Sequence, residues 1–257
     1  MKNLVQYSSS SDDESSSEPE TTEINKNQSP PTKKRKLPVP SFLTTKTPKT
    51  DDPPDNPNEH QGRQRSIKHE RGIWATFLYI PVPAFDFFEE TQQQIIKFLE
   101  KSSRKLKIEI IEDLHVSVTK LLILKHHWIE SFIDTISEKI RDLPRFKINF
   151  SEIEVYCNEE KTRTFIGIKI IDVVQLLKVT EALDECLTEF KLPKYYEDPS
   201  FHVSILWCLG DQKEFFEQKK AELQQIFDKS MAESTFQASV NELLCKCGNR
   251  SYKFPLR

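Results

Sequence analysis

The chain has 257 residues, 37% of them hydrophobic, and carries 37 Lys and Arg against 40 Asp and Glu. A length of this order holds one large domain or two small ones. The near balance of charge argues against a protein that coats duplex DNA, which needs a clear cationic excess. No apolar run of about 18 residues is present, so no helix is expected to cross a membrane, and no secretory leader is expected at the N-terminus. The five cysteines are odd in number and lack framework spacing, which fits free thiols in a reducing compartment.

Nine of the fifteen prolines precede Gly72, beside a serine and acid run at Ser8 to Ser17. Large apolar residues are too sparse there to offset the entropy of ordering, so residues 1–71 are expected to be a disordered tail. Within it, Lys33-Lys34-Arg35-Lys36 stands between prolines and reads as a nuclear import signal, against the plainer readings of a solvated charge cluster or a weak RNA-contacting arm. Residues 72–257 form the expected folded domain. They carry 25 Lys and Arg against 29 Asp and Glu, so any nucleic acid is expected to be held at a short end.

In the domain, Ile73 to Ile80 predicts a strand stopped by Pro81 and Pro83. Phe88, Ile95 and Leu99 fall at helical spacing in a segment from about Phe85 to Leu106. A strand holding His115 and Ser117 follows. Trp128, Phe132, Ile136 and Ile140 predict a helix ending near Pro144, and Phe146 to Tyr156 predicts a strand. The order then repeats. Arg163 to Ile171 reads as a strand, Leu176 to Phe190 as a helix, and the segment with His202 and Ser204 as a strand. Asp211 and Glu214 predict a capping box for a helix through about Lys229, and strands near Phe236 to Cys245 and Tyr252 to Leu256 complete the chain. The expectation is an α+β fold of two similar lobes, approximately 72–158 and 159–257, about a pseudo-twofold axis with a cleft between them.

Two copies of one phrase stand out, His115-Val116-Ser117-Val118 and His202-Val203-Ser204-Ile205, 87 residues apart. On a strand, His and Ser at i and i+2 share a face while the valine between them turns to the core. Two such strands brought together offer two imidazoles and two hydroxyls to one phosphodiester. RNA brings its own nucleophile, a 2′-hydroxyl, so the protein has only to take one proton and return another. A histidine pair does both near neutral pH, and serine hydroxyls can hold the phosphate oxygens. Other candidates carry less. His126 and His127 diverge before a helix, and Cys245 and Cys247 have no second pair to complete a zinc site. No carboxylates cluster beside either motif.

The doublet resembles the 2H phosphoesterase superfamily. Within it, Tyr195-Tyr196-Glu197-Asp198-Pro199-Ser200-Phe201-His202-Val203-Ser204 and Glu160-Lys161-Thr162-Arg163-Thr164-Phe165-Ile166-Gly167 look like the U6 snRNA phosphodiesterase (Usb/Mpn) family. That resemblance implies a nuclear, monomeric 3′-to-5′ exoribonuclease that trims the uridine-rich, single-stranded 3′ end of U6 snRNA. It implies no cofactor or metal, and a 2′,3′-cyclic phosphate product. His115 and His202 are then catalytic, with His202 as base and His115 as acid. Ser117 and Ser204 bind phosphate, with Ser200 as a further candidate, and Tyr196 stacks on a base. Glu159 stands in a loop where the family suggests an amide for uracil, a departure that bears on base preference. The rival expectations are a phosphodiesterase of the same fold acting on cyclic nucleotides or preformed cyclic ends, and a non-catalytic nuclear adaptor that binds nucleotides.

Overall fold

Ile73–Pro81 forms β1, with Thr76, Leu78 and Ile80 buried and Phe77 and Tyr79 half-buried on the opposite face. That alternation is the two-residue repeat of a strand, and it sets the plan of the whole sheet. One face lies under helices and the other is open. The computed structural model describes residues 70–102, 106–231 and 237–257. The proline-rich tail with the Lys33–Lys36 cluster lies outside them, apart from its last two residues.

Helix α1 (Asp86–Ser102) starts with Asp86 and Glu89 in its first turn, where carboxylates favour the helix dipole, and buries Phe88, Ile95 and Leu99. It stops short of Leu106, which packs on the core from the segment leading into β2. β2 (Ile108–Ile110), β3 (His115–Ser117) and β4 (Leu122–Lys125) come next. β2 and β4 are three and four residues long, too short for a two-residue period to mark them in the sequence. After a single turn at His126–Trp128 come α2 (Ile129–Ile140), β5 (Phe146–Cys157), β6 (Arg163–Ile171), α3 (Val174–Glu189) and β7 (His202–Leu209).

The single capped helix expected from Asp211 to Lys229 is instead two, α4 (Lys213–Glu217) and α5 (Lys220–Met231). Gln212 occupies the cap position without a side-chain cap, and the Thr164 hydroxyl accepts its N–H at 2.8 Å. The Lys219 N–H turns back to the Phe216 carbonyl, a tight turn that lets Phe216, Leu223 and Phe227 all reach the core. The last expected strand pair is three strands, β8 (Gln237–Val240), β9 (Glu242–Cys247) and β10 (Arg250–Pro255). Gly248 opens the two-residue turn between β9 and β10 with φ +58, and a side chain there would collide with the Trp74 ring.

The strands hydrogen-bond in the order β10-β9-β1-β3-β7-β6-β5-β8, all antiparallel, with β4 on β1 and β2 on β7. Only Asn241 joins β8 to β9, although they stand near opposite ends of this order. The sheet therefore curls until its ends meet. Helices α1 and α5 pack together on the half containing β5 and β7, and α2 packs on α3 and β10. The halves interleave along the chain. β5 belongs with β6, β7 and β8, whereas the C-terminal β9 and β10 belong with β1 and β3, so the sheet does not divide near Asn158.

Candidate active site

β3 is the seam of the sheet. It pairs with β1 through Tyr79, Ile80 and Pro81, and with β7 through Val116 opposite Val203. Both valines are fully buried, so the motif histidines and serines point to the open face. One step along this antiparallel register sets His115 beside Ser204 and Ser117 beside His202. The two motifs are thus adjacent strands, not strands facing across a gap. Directly opposed side chains in such a pair have Cβ atoms about 5 Å apart, which places all four polar groups around one phosphate-sized point.

The two histidines are held alike. His115 Nδ1 lies 2.7 Å from the Asp113 carbonyl, and His202 Nδ1 lies 2.7 Å from the Ser200 carbonyl. A carbonyl only accepts, so Nδ1 carries the proton in both rings. This leaves each Nε2 as the unprotonated nitrogen of the neutral ring, a proton acceptor in that form and a donor when the ring is charged. The Ser117 and Ser204 hydroxyls are not hydrogen-bonded to any other described residue, so both remain available to a ligand.

The surroundings of the histidines differ. Tyr156 of β5 lies flat on His202, with centroids 3.6 Å apart and planes at 14°. Its hydroxyl shares a 2.9 Å hydrogen bond with Ser200 Oγ. Gly167 makes room for this stack, since a Cβ there would come within 3.1 Å of the Tyr156 ring and 3.3 Å of His202. His115 meets Tyr79 edge-on at 5.2 Å and 64°. Burial, with a smaller contribution from the charge of His115, lowers the pKa of His202 below the ordinary 6.5, although the Ser200 carbonyl opposes the shift. Burial also pushes the Tyr156 phenol up to about 12, so Tyr156 acts as a neutral hydrogen-bonding group.

All seven site residues expected from the sequence line one cleft of about 770 Å³. Tyr196 is half exposed and carries the Lys120 ammonium 4.2 Å above its ring. Its neighbour Tyr195 donates its hydroxyl to the Ser117 carbonyl at 2.9 Å, which ties the tyrosine segment to β3. Ser200 lies behind His202, its hydroxyl bonded to Tyr156 and its carbonyl to the imidazole. Glu159 is exposed at the rim. The amide of Asn158 is committed to the β5–β6 turn, where its Oδ1 accepts the Thr162 and Arg163 N–H groups at 2.9 and 2.8 Å.

Tyr156, Tyr79, Tyr195 and Lys120 were not singled out from the sequence. An isolated glycine in a strand marks close approach of another group, so Gly167 was the available signal for Tyr156. Cys245 and Cys247 are buried free thiols, and burial pushes Cys245 up to about 12, which leaves it unreactive.

Residues 37–255 match the HVSL family, described as an uncharacterised conserved protein. The chain is 36% identical over 231 residues to U6 snRNA phosphodiesterase 1 of Mus musculus, covering 88% of this chain and 86% of the relative. It is 34% identical over 264 residues to the Homo sapiens protein of the same name, covering 99% and 98%. The chain belongs to the U6 snRNA phosphodiesterase 1 family. The Danio rerio protein of this family is 38% identical over 209 residues, covering 79% of this chain and 74% of its own. Among solved structures, Usb1 of Kluyveromyces marxianus superposes with a TM-score of 0.52 at 16% identity, covering 72% of this chain and 98% of that one. Its structure with uridine monophosphate gives 0.51 at 16% identity, covering 72% and 99%. The fold of this U6 snRNA phosphodiesterase 1 family member is therefore the α+β fold of those structures.

Proposed function

We propose that this chain is a 3′-to-5′ exoribonuclease that trims the uridine-rich 3′ tail of U6 snRNA by transesterification. The observation that carries the reading is the matched pair of Nδ1–carbonyl hydrogen bonds, which presents two Nε2 atoms and two uncommitted hydroxyls on one face of adjacent strands. Membership of a family whose relatives are named U6 snRNA phosphodiesterase 1 supports the choice of RNA. His202, biased to the neutral form by burial, takes the proton of the penultimate 2′-hydroxyl at Nε2. The 2′-oxygen bonds to phosphorus as the bond from phosphorus to the terminal 5′-oxygen breaks. His115 in its charged form gives that oxygen the Nε2 proton. The products are a free nucleoside and a 2′,3′-cyclic phosphate end, and the two rings then re-exchange protons with water. Ser117 and Ser204 hold the non-bridging oxygens as charge builds there. Tyr196 offers a stacking face to a base. Glu159 at the rim and the committed amide of Asn158 favour a uridine preference short of strict.

The test is a 3′-hydroxyl oligouridine incubated with the protein in EDTA, followed by mass analysis of the ends. Free uridine and cyclic-phosphate ends are expected. A 2′-deoxy sugar at the penultimate position should abolish trimming, and undiminished cleavage of that substrate would overturn the mechanism. His202→Gln should lose about 100-fold or more. Opening of preformed cyclic ends without trimming would identify a cyclic phosphodiesterase, and no turnover on either substrate would identify an adaptor.

We further propose nuclear import through Lys33, Lys34, Arg35 and Lys36, on the strength of four consecutive cations beside prolines. Alanine at all four should shift a fluorescently tagged chain from nucleus to cytoplasm, and an unchanged distribution would refute the assignment.

A further inference from the structure

Gln92 lies on the buried face of α1 with Phe88, Ile95 and Leu99, and is only 5% exposed. An amide in such a place is costly unless its hydrogen bonds are made. Its Nε2 group donates to two backbone carbonyls, Ile111 at 3.1 Å and Ile205 at 3.0 Å. Both partners can only accept, so the amide must turn its nitrogen toward them. The neighbouring Thr91 is fully buried, and its hydroxyl bonds to no described residue.

The two carbonyls belong to the segments that carry the motif histidines, at the point where the ladder between them is interrupted. β2 and β7 pair up to Ile110 and Leu206, and β3 and β7 pair again at Val116 and Val203. Five residues, Ile111 to His115, thus lie opposite two, Ser204 and Ile205. β7 is irregular on its other side as well. Ile166 faces Leu206 and Gly167 faces Ser204, which leaves Ile205 without a ladder partner on β6. Bulges of this kind re-aim side chains and recur beside active sites. The Asp113 carbonyl that orients His115 lies within the longer one. The Ile111 N–H donates to the Ile205 carbonyl at 3.0 Å, and Gln92 binds that carbonyl and the Ile111 carbonyl from the helix side of the sheet.

We propose that Gln92 is a positioning residue for the histidine pair. Its amide pins the bulge that delivers His115 to the strand that carries Ser204 and His202, and so sets the separation of the two imidazoles. The proposal rests on the reading of His115 and His202 as one catalytic pair, and it holds whichever of them is the acid. Without the two Gln92 hydrogen bonds the segment ahead of His115 is free to shift against Ile205. A misplacement of about 1 Å costs up to about a hundredfold in rate. Ser117, Lys120 and Tyr196 line the cleft outside both bulges, so substrate binding should be kept while turnover falls.

Gln92→Met keeps the length and bulk of the side chain and removes its donors. On a 3′-hydroxyl oligouridine this variant, shown to be folded by circular dichroism, should lose about ten- to a hundredfold in kcat with KM within about twofold of wild type. Thr91→Val, which removes a buried hydroxyl from the same helix face, should leave kcat unchanged. The deciding measurement is a double-mutant cycle with His115→Ala. A residue that aligns the pair has little left to align once one imidazole is gone, so Gln92→Met should then cost less than about twofold. A residue that only supports the fold would cost the same factor in both backgrounds. That additive result, a wild-type kcat in folded Gln92→Met, or an equal loss in Thr91→Val would each overturn the assignment. Should Gln92→Met fail to fold, Gln92→Asn, whose amide is too short to reach both carbonyls, enters the same cycle. Undiminished turnover in His115→Ala would instead refute the paired-histidine reading on which the proposal rests.

Discussion

Tyr156 makes the two histidines of a duplicated motif unequal. His115 and His202 share the same motif, the same strand position and the same backbone acceptor, yet only His202 lies under a parallel ring at 3.6 Å. The groups around His202 are Ser200, His115 and its cross-strand neighbour Lys169, whose charge is paired with Glu152 at 3.2 Å. Burial is the largest influence and disfavours the charged imidazolium. Tyr156→Leu should admit water to the ring. Its pKa then rises toward 6.5, the base is protonated at higher pH, and the acid limb of the kcat/KM profile moves up. The phenol face also attracts a cation, so losing it acts in the opposite direction, but burial outweighs it. Loss of ring alignment should lower kcat about ten- to a hundredfold. Tyr156→Phe keeps the stack and should keep the limb near its wild-type position. A Tyr156→Leu profile with an unmoved acid limb would show that the stack does not set the base.

At the scale of elements, β5 is the member whose outer edge needs help. β8 pairs only with Phe146–Asn149, and a register shift follows between Phe150 and Ile153. Past that shift Gln224 of α5 accepts the Ile153 N–H at 2.7 Å, and Lys220 pairs with Glu154 at 2.9 Å. Side chains from a helix thus cover an edge that would otherwise present open backbone groups. Gln224→Leu leaves that N–H without its acceptor and should cost about 1–3 kcal/mol in urea unfolding, with trimming unaffected while the protein stays folded. A stability equal to wild type would mean that another group covers the edge. The same strand carries Tyr156 to His202, so the edge support and the site share one element.

At the scale of the molecule, the curl of the sheet matters more than the repeat of its elements. The chain reads as strand, helix, motif strand, helix, strand, given twice, and that order suggests one lobe after another. Hydrogen bonding assembles it otherwise, because Asn241 alone links β8 at one end of the sheet to β9 near the other. A short connection of this kind brings the ends together and draws the open face into the cleft that holds both motifs.

By itself the sequence determined the longer strands, the helical stripes and the duplicated His-x-Ser motif whose residues line the cleft. β-branched alternation and four-residue apolar spacing are local properties, and two His-x-Ser phrases remain visible at any separation. It could not show β2 and β4, whose few residues carry no period, nor the break between α4 and α5, where the Lys219 N–H turns back to the Phe216 carbonyl. Only the tertiary structure decided that Val116 pairs with Val203, that Tyr156 rather than a motif residue stacks on His202, and that the Asn158 amide closes a turn. Each of these joins residues far apart in the chain or depends on the direction of a side chain. Such contacts arise when apolar faces are buried together, and a one-dimensional pattern does not record them.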